Sequence, residues 1–166
     1  MRAEFFGDSY DIVKRFLISR IIDAGYSIVV NPMNNGADDY LNQYYSFIGA
    51  DASLNNKNAI FFDPDTGIKA EDTPTHISYD TIFENCIRYK VVMIFDQGFT
   101  RNRNHKQAAI DNKNNLFRAS GIHSMYYMSL SHACFCFCCR HKEDLDKVMN
   151  SILASGFPPS KLRMQN

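Results

Sequence analysis

The chain has 166 residues, 45% of them hydrophobic and 22% charged, and its 18 Lys+Arg balance 18 Asp+Glu to a formal net charge of zero. That length suits one domain spanning residues 1–166 with a sizeable core, and the apolar fraction excludes disorder as the dominant state. A neutral total excludes the broadly basic surface of a nucleic-acid-coating domain, and no run of about 18 apolar residues is present to span a bilayer.

The opening MRAEFFGDSYD places acids where a signal peptide needs its hydrophobic segment, so a cytoplasmic chain without a membrane partner is expected. The five cysteines, Cys86 and the cluster Cys134, Cys136, Cys138 and Cys139, lack the spacing of a secreted disulfide framework and are expected to be reduced. Over 8–24, Ile12, Val13, Phe16, Leu17, Ile21 and Ile22 recur at spacings of three and four, which predicts an amphipathic helix capped by Asp8 and closed by Gly25. Residues 26–30 (YSIVV) read as a buried strand followed by a turn over 31–36, and a short helix is expected over 38–48. Residues 59–63 (AIFFD) form a second apolar strand with a polar tip, followed by a loop over 64–76 and a helix over 78–88. A third strand, 89–95, ends at Asp96, and a basic loop and helix run over 97–120. Strands at 122–130 and 132–139, nearly contiguous, precede a last helix over 142–154 and a proline-containing tail. The order αβαβαβαββα predicts an α/β domain, Rossmann-like and three-layered, with a mostly parallel sheet of about five strands and a C-terminal antiparallel pair. Continuous apolar strands support burial on both faces.

In open α/β sheets, ligands bind beyond the carboxyl ends of the strands, where loops and helix N-termini converge. Those ends carry Asn31 after the first strand, Asp63 and Asp65 after the second, Asp96 and Gln97 leading to Arg101 and Arg103 after the third, and His132 after the fourth. The N-terminus of the first helix, with Asp8 and Asp11, is expected at the same edge. Asp63-Pro64-Asp65-Thr66-Gly67 is the sharpest local feature: two carboxylates two residues apart at a strand end suit a hard cation such as Mg²⁺, although Asp and Gly also build turns. Asp8, Asp11 and Lys14 share a helical face, which is consistent with a ligand site and equally with a cap plus an ion pair. The neutral total conceals two opposed segments: residues 38–84 carry nine acids against Lys57 and Lys69, whereas 85–118 carry seven cations against Asp96 and Asp111. Arg101 and Arg103 are candidates for gripping phosphate, or one solvated helix face. Cys134, Cys136 and Cys138 fall on one strand face, where wrapping a tetrahedral zinc is difficult, so buried packing is expected.

Gly7-Asp8-Ser9-Tyr10-Asp11-Ile12-Val13-Lys14 followed by Phe61-Phe62-Asp63-Pro64-Asp65-Thr66-Gly67 resembles a poorly characterised set of bacterial and phage proteins that pair GDxxDxxK with FFDPDxG. The chain is also loosely similar to Rossmann-like partner proteins of three-cysteine-motif systems and to amino-methyltransferases, whose strand-end motif is Asp-Pro-Pro-aromatic. The tip further resembles the haloacid-dehalogenase motif, with Gly67 where that motif has Thr or Val. The methyltransferase likeness implies S-adenosylmethionine as cofactor.

The leading expectation is an enzyme acting on a phosphate ester of a nucleotide or nucleic acid, a phosphohydrolase or nuclease dependent on Mg²⁺. Asp63, Asp65, Asp8, Asp11 and Asp96 would hold the metal, Arg101, Arg103, Asn31 and Gln97 the substrate, and Asp63, Asp65 and His132 the catalytic roles. The alternatives are a methyltransferase-like protein and a non-catalytic phage or defence-related binding protein, with a homodimer or a host protein as possible partners.

Overall fold

The computed structural model describes residues 7–31, 33, 38–50, 56–129 and 132–164. In chain order the elements are α1 (Ser9–Asp23), β1 (Ile28–Asn31), α2 (Asp38–Ile48), β2 (Ala59–Phe62), β3 (Ile68–Lys69), β4 (Ile77–Ser78), α3 (Tyr79–Arg88), β5 (Val91–Asp96), α4 (Arg103–Ala119), β6 (His123–Met128), β7 (Cys134–Cys139), α5 (Lys142–Ala154), a 3-10 turn (Pro159–Lys161) and β8 (Leu162–Met164). The class is α/β, with every helix expected from periodicity present. Asp8 caps α1 by accepting the N–H groups of Tyr10 and Asp11, and Gly25, at φ +93°, turns the chain out of the helix. The turn expected over 31–36 lies, apart from Asn31 and Met33, outside the described residues, as do Leu130 and Ser131. Among the described residues no helix is long and apolar enough to cross a membrane.

The main sheet has six strands in the order β1-β2-β5-β7-β6-β8. Parallel pairing of β1, β2 and β5 follows from the crossover connections through α2 and α3. Beyond β5 the sheet departs from the mostly parallel arrangement with a terminal antiparallel pair. β7 runs antiparallel between β5 and β6, pairing Asp96 with Cys134 on one side and Met128 with Cys134 on the other. The link from β6 to β7 is too short for a crossover, so β7 must return as a hairpin partner. Its six residues are all buried, which demands an interior position in the sheet.

β8 then pairs antiparallel with β6 along the outer edge. Its three half-buried residues carry no strand periodicity, and the pairing is reinforced by a two-pronged Arg163–Asp111 ion pair at 2.8 and 2.7 Å. β3, within the segment expected to be a loop, and β4, just after it, form a separate two-stranded parallel pair.

Alternation along the strands sorts the interior into two cores. Ala59, Phe61, Met93 and Phe95 face Leu17, Ile21 and Tyr44 from α1 and α2 and Val148 from α5. Ile60, Phe62, Val92 and Ile94 face Ile82 of α3 and Ile110 and Phe117 of α4. Period-two alternation therefore carries Asp63, one residue past Phe62, to the α1 side and Asp96, one past Phe95, to the α4 side.

The loop after β2 is pinned against Asp96. Gly67 has φ +83°, and a Cβ there would collide with the Asp96 carboxylate and lie 2.5 Å from the backbone nitrogen of Gln97. The next N–H, of Ile68, donates to Asp96 Oδ1 at 2.9 Å. Gly67→Ala is expected to lower the unfolding free energy by about 3 kcal/mol, combining left-handed backbone strain with displacement of a buried carboxylate. Urea unfolding measures this, and an unchanged midpoint would mean that the loop can move aside freely.

Candidate functional site

Lys14 occupies the centre of the α1-side sheet edge. It falls on the buried stripe Asp11, Lys14, Ile18 and Ile21, so the helix delivers its ammonium into the interior. There Lys14 Nζ donates to Asp11 Oδ1 at 3.0 Å and to Asp63 Oδ2 at 2.8 Å, with all three side chains at most 5% exposed. The ammonium also lies 4.8 Å from the Phe95 ring centroid and 5.6 Å from that of Tyr44. Burial alone pulls the Lys14 pKa down, but the Asp63 and Asp11 carboxylates outweigh it and hold it above the ordinary lysine value.

The Tyr44 hydroxyl donates to the same Asp63 oxygen as Lys14. Burial and the neighbouring Asp63 charge push its pKa far up, so it remains a donor. Asp11 uses its second oxygen to accept the Gly7 N–H at 2.9 Å, which leaves that carboxylate fully engaged. Asp63 differs: Oδ2 accepts two bonds, whereas Oδ1 has no partner among the described residues. Asp8 shares this asymmetry, because Oδ1 accepts both capping N–H groups and Oδ2 accepts none among the described residues.

These groups border an open cavity of about 420 Å³ whose wall includes Asp8, Asp11, Lys14, Asp63, Asp65 and Gln97. Tyr10, Phe95, Thr66 and Thr75 complete the rim. Among the described residues the wall carries four carboxylates and one ammonium, an acidic balance that favours cations over bare anions. Among the described residues, no group of three or more His, Cys, Asp or Glu side chains is arranged to hold a metal ion. A cation here would depend on one or two carboxylates and on ligands brought by its partner, the coordination habit of Mg²⁺.

Asp96 stands apart from this cluster. On the α4 side it accepts both Lys113 bonds, at 3.0 and 2.7 Å, together with the Tyr126 hydroxyl at 2.9 Å and the Ile68 N–H. Fully buried and satisfied on both oxygens, it anchors the loop after β2 and does not reach the cavity.

The other expected site residues divide similarly. Gln97 lines the cavity, and the Asn31 carbonyl accepts the Asp63 N–H at 3.1 Å while the Asn31 side chain closes its own turn onto the Met33 N–H. His132 is exposed and meets the cavity only through an edge contact with Tyr10, ring centroids 6.3 Å apart. Arg101 and Arg103 lie in a different groove. The cysteines are free and buried, and burial pushes the Cys134 thiol up to about 12, so it is protonated at neutral pH.

Spacing along α1 pairs Lys14 with Asp11 and gives no sign of Asp63 as a second partner, and nothing in the sequence marks Tyr44, yet both fix Asp63. The available signal was positional: Asp11 and Lys14 sit on the apolar stripe of α1, where charged residues must find internal partners. No family model matches this chain, and no curated protein or solved structure matches it.

Lys14→Met would leave two buried carboxylates without their counter-charge and is expected to cost about 3–5 kcal/mol. Because the folded-state pKa of Lys14 is raised, its contribution is fully present below the ordinary lysine value of 10.5 and lost as pH rises through the higher folded value. Urea unfolding of both proteins at pH 8 and pH 11 is expected to show a stability gap that narrows at the higher pH. A gap independent of pH would mean that lost packing, rather than lost charge, causes the defect.

Proposed function

We propose that the cavity binds a divalent cation together with a phosphate ester, and that the protein is a cation-dependent phosphohydrolase or nuclease. One observation carries this reading: Asp63 is only 5% exposed, yet one of its carboxylate oxygens lacks a partner at the cavity wall. That oxygen opens onto the cavity and is engaged by no group among the described residues, which leaves it available to a bound cation. The acidic balance of the described wall supports the same conclusion, since a neutralising cation would ease the approach of a phosphate.

The donor set fits a hard cation. Asp63 Oδ1 and Asp8 Oδ2 are oxygen donors without competing bonds, and Asp65 lies on the same wall. When bound, the cation would polarise a phosphoryl oxygen. The chain's own groups have separate tasks. Lys14 and Tyr44 hold Asp63 by Oδ2 and keep its free oxygen turned to one use. Asp11 secures Lys14 and, through the Gly7 N–H, the backbone entering α1. Gln97 offers an amide that can orient a substrate oxygen.

Calorimetry with Mg²⁺ and Mn²⁺, paired with phosphate release from a panel of nucleotides and oligonucleotides, tests the reading. Wild-type protein is expected to bind the cation and turn over at least one ester. Asp63→Asn should reduce both by about 100-fold or more. Asp8→Asn keeps the helix cap, because Asn caps as well as Asp, and isolates the charge; about tenfold weaker cation binding is expected. Absence of both cation binding and turnover in the wild-type protein would refute the assignment.

A further inference from the structure

Adjacent to the acidic cavity lies a groove of about 150 Å³ lined by Arg101, Arg103, Lys106, Ser129, Ser160 and Lys161, together with Met128. Its cations come from the loop after β5, the first turn of α4 and the 3-10 turn near the C-terminus. Among the described residues no carboxylate lines it. Arg101, Arg103 and Lys161 form no ion pair among the described residues. Lys106 is only 4% exposed, and its ammonium is held at the groove by the Ser129 carbonyl at 3.0 Å. Arg101, Arg103 and Lys161 thus gather around one concavity with no ion pair among the described residues to offset them. Mutual repulsion opposes that arrangement, and an anionic ligand relieves it.

The groove and the cavity are joined by a short stretch of backbone. Gln97 lines the cavity and Arg101 the groove, and four extended residues reach at most about 14 Å. Along this stretch the Phe99 N–H donates to the His132 carbonyl at 2.9 Å, and the His132 ring meets Tyr10 on the cavity rim. The exposed His132 ring meets the half-buried Tyr10 ring edge-on at the cavity rim. Cations joined by so short a stretch to an exposed aromatic ring are the combination that holds a single nucleic-acid strand, with phosphates on the cations and bases on rings.

We infer that the groove is a backbone track for single-stranded nucleic acid, which leads one phosphate of the strand into the acidic cavity. The substrate is then a strand and not a free mononucleotide. This conclusion about substrate rests on the phosphate-ester reading of the cavity, while strand binding by the groove is measurable without it. The guanidinium groups of Arg101 and Arg103 match phosphate oxygens two at a time, and Lys161 and Lys106 add charge without requiring a particular base.

The experiment is fluorescence anisotropy with a labelled twelve-residue oligothymidylate in EDTA, over a range of salt concentrations. Wild-type protein is expected to bind with a log–log salt slope of about −2, as three phosphates neutralised on a single strand by Arg101, Arg103 and Lys161 require. Arg101→Ala combined with Arg103→Ala should weaken binding about tenfold or more at low salt and reduce the slope by about 1.4. Arg88→Ala combined with Lys90→Ala removes the same charge at the opposite end of β5 and should leave binding unchanged. Thymidine monophosphate should fail to displace the oligonucleotide at equal phosphate concentration. No binding by wild-type protein, equal losses in the two double variants, or equal displacement by a polyglutamate peptide of matched charge would each overturn the proposal. Because EDTA removes divalent cations, this assay reads the groove alone, and cation calorimetry reads the cavity, so failure of one is separable from failure of the other.

Discussion

A single buried ammonium organises this molecule's sheet edge. Lys14 brings α1 into contact with the end of β2 by bridging Asp11 and Asp63, and Tyr44 adds a donor from α2. Three elements distant in sequence thereby converge on one carboxylate. Desolvating these charges costs several kcal/mol per ion, a cost offset only when every group is paired with good geometry. That demand fixes the rotamer of Asp63 and decides which of its oxygens is spent and which faces the cavity. A neutral hydrogen-bonded network at the same place would leave the wall less acidic and its preference for a cation weaker.

The opposite face of the sheet repeats the device with a different outcome. Asp96 is also a strand-end aspartate neutralised by a lysine from the helix on its own side, here Lys113 of α4. Tyr126 and the Ile68 N–H consume its remaining capacity. The consequence is structural: the loop carrying Thr66 and Gly67 is drawn onto the end of β5, which places Thr66 and Thr75 on the cavity rim. One carboxylate is thus left with an unspent oxygen, while the other anchors the loop that shapes the space around it.

The charge pattern along the chain is resolved in space by the same geometry. Acids from α1 and the β2 tip gather at one concavity, and cations from residues 101–106 and 161 gather at its neighbour. Three residues, Gly98, Phe99 and Thr100, separate Gln97 of the one lining from Arg101 of the other. Opposite fields side by side favour a ligand that carries both a cation and a chain of phosphates.

Helix and strand identities were legible in the sequence because apolar periodicity and capping residues act locally. Asp8 and Gly25 delimit α1, Ser78 caps α3 through the Thr81 N–H, and the apolar runs at 59–62 and 91–95 become interior strands. The acidic tip at Asp63 and Asp65 was equally visible, since a strand-end position follows from chain order alone. Strand order, the reversal of β7 and the addition of β8 were not, because pairing partners are chosen by burial and connection length across the whole sheet. Nor could the sequence separate Asp63 from Asp96: both end an apolar strand, and only the pleat, set by pairing register, sends one toward Lys14 and the other toward Lys113. The sequence by itself determined the α/β class and the edge at which chemistry-bearing residues collect. Tertiary structure alone decided which carboxylates meet, which remain partly unsatisfied and which become anchors, because those outcomes depend on side chains brought together from helices on opposite faces of the sheet.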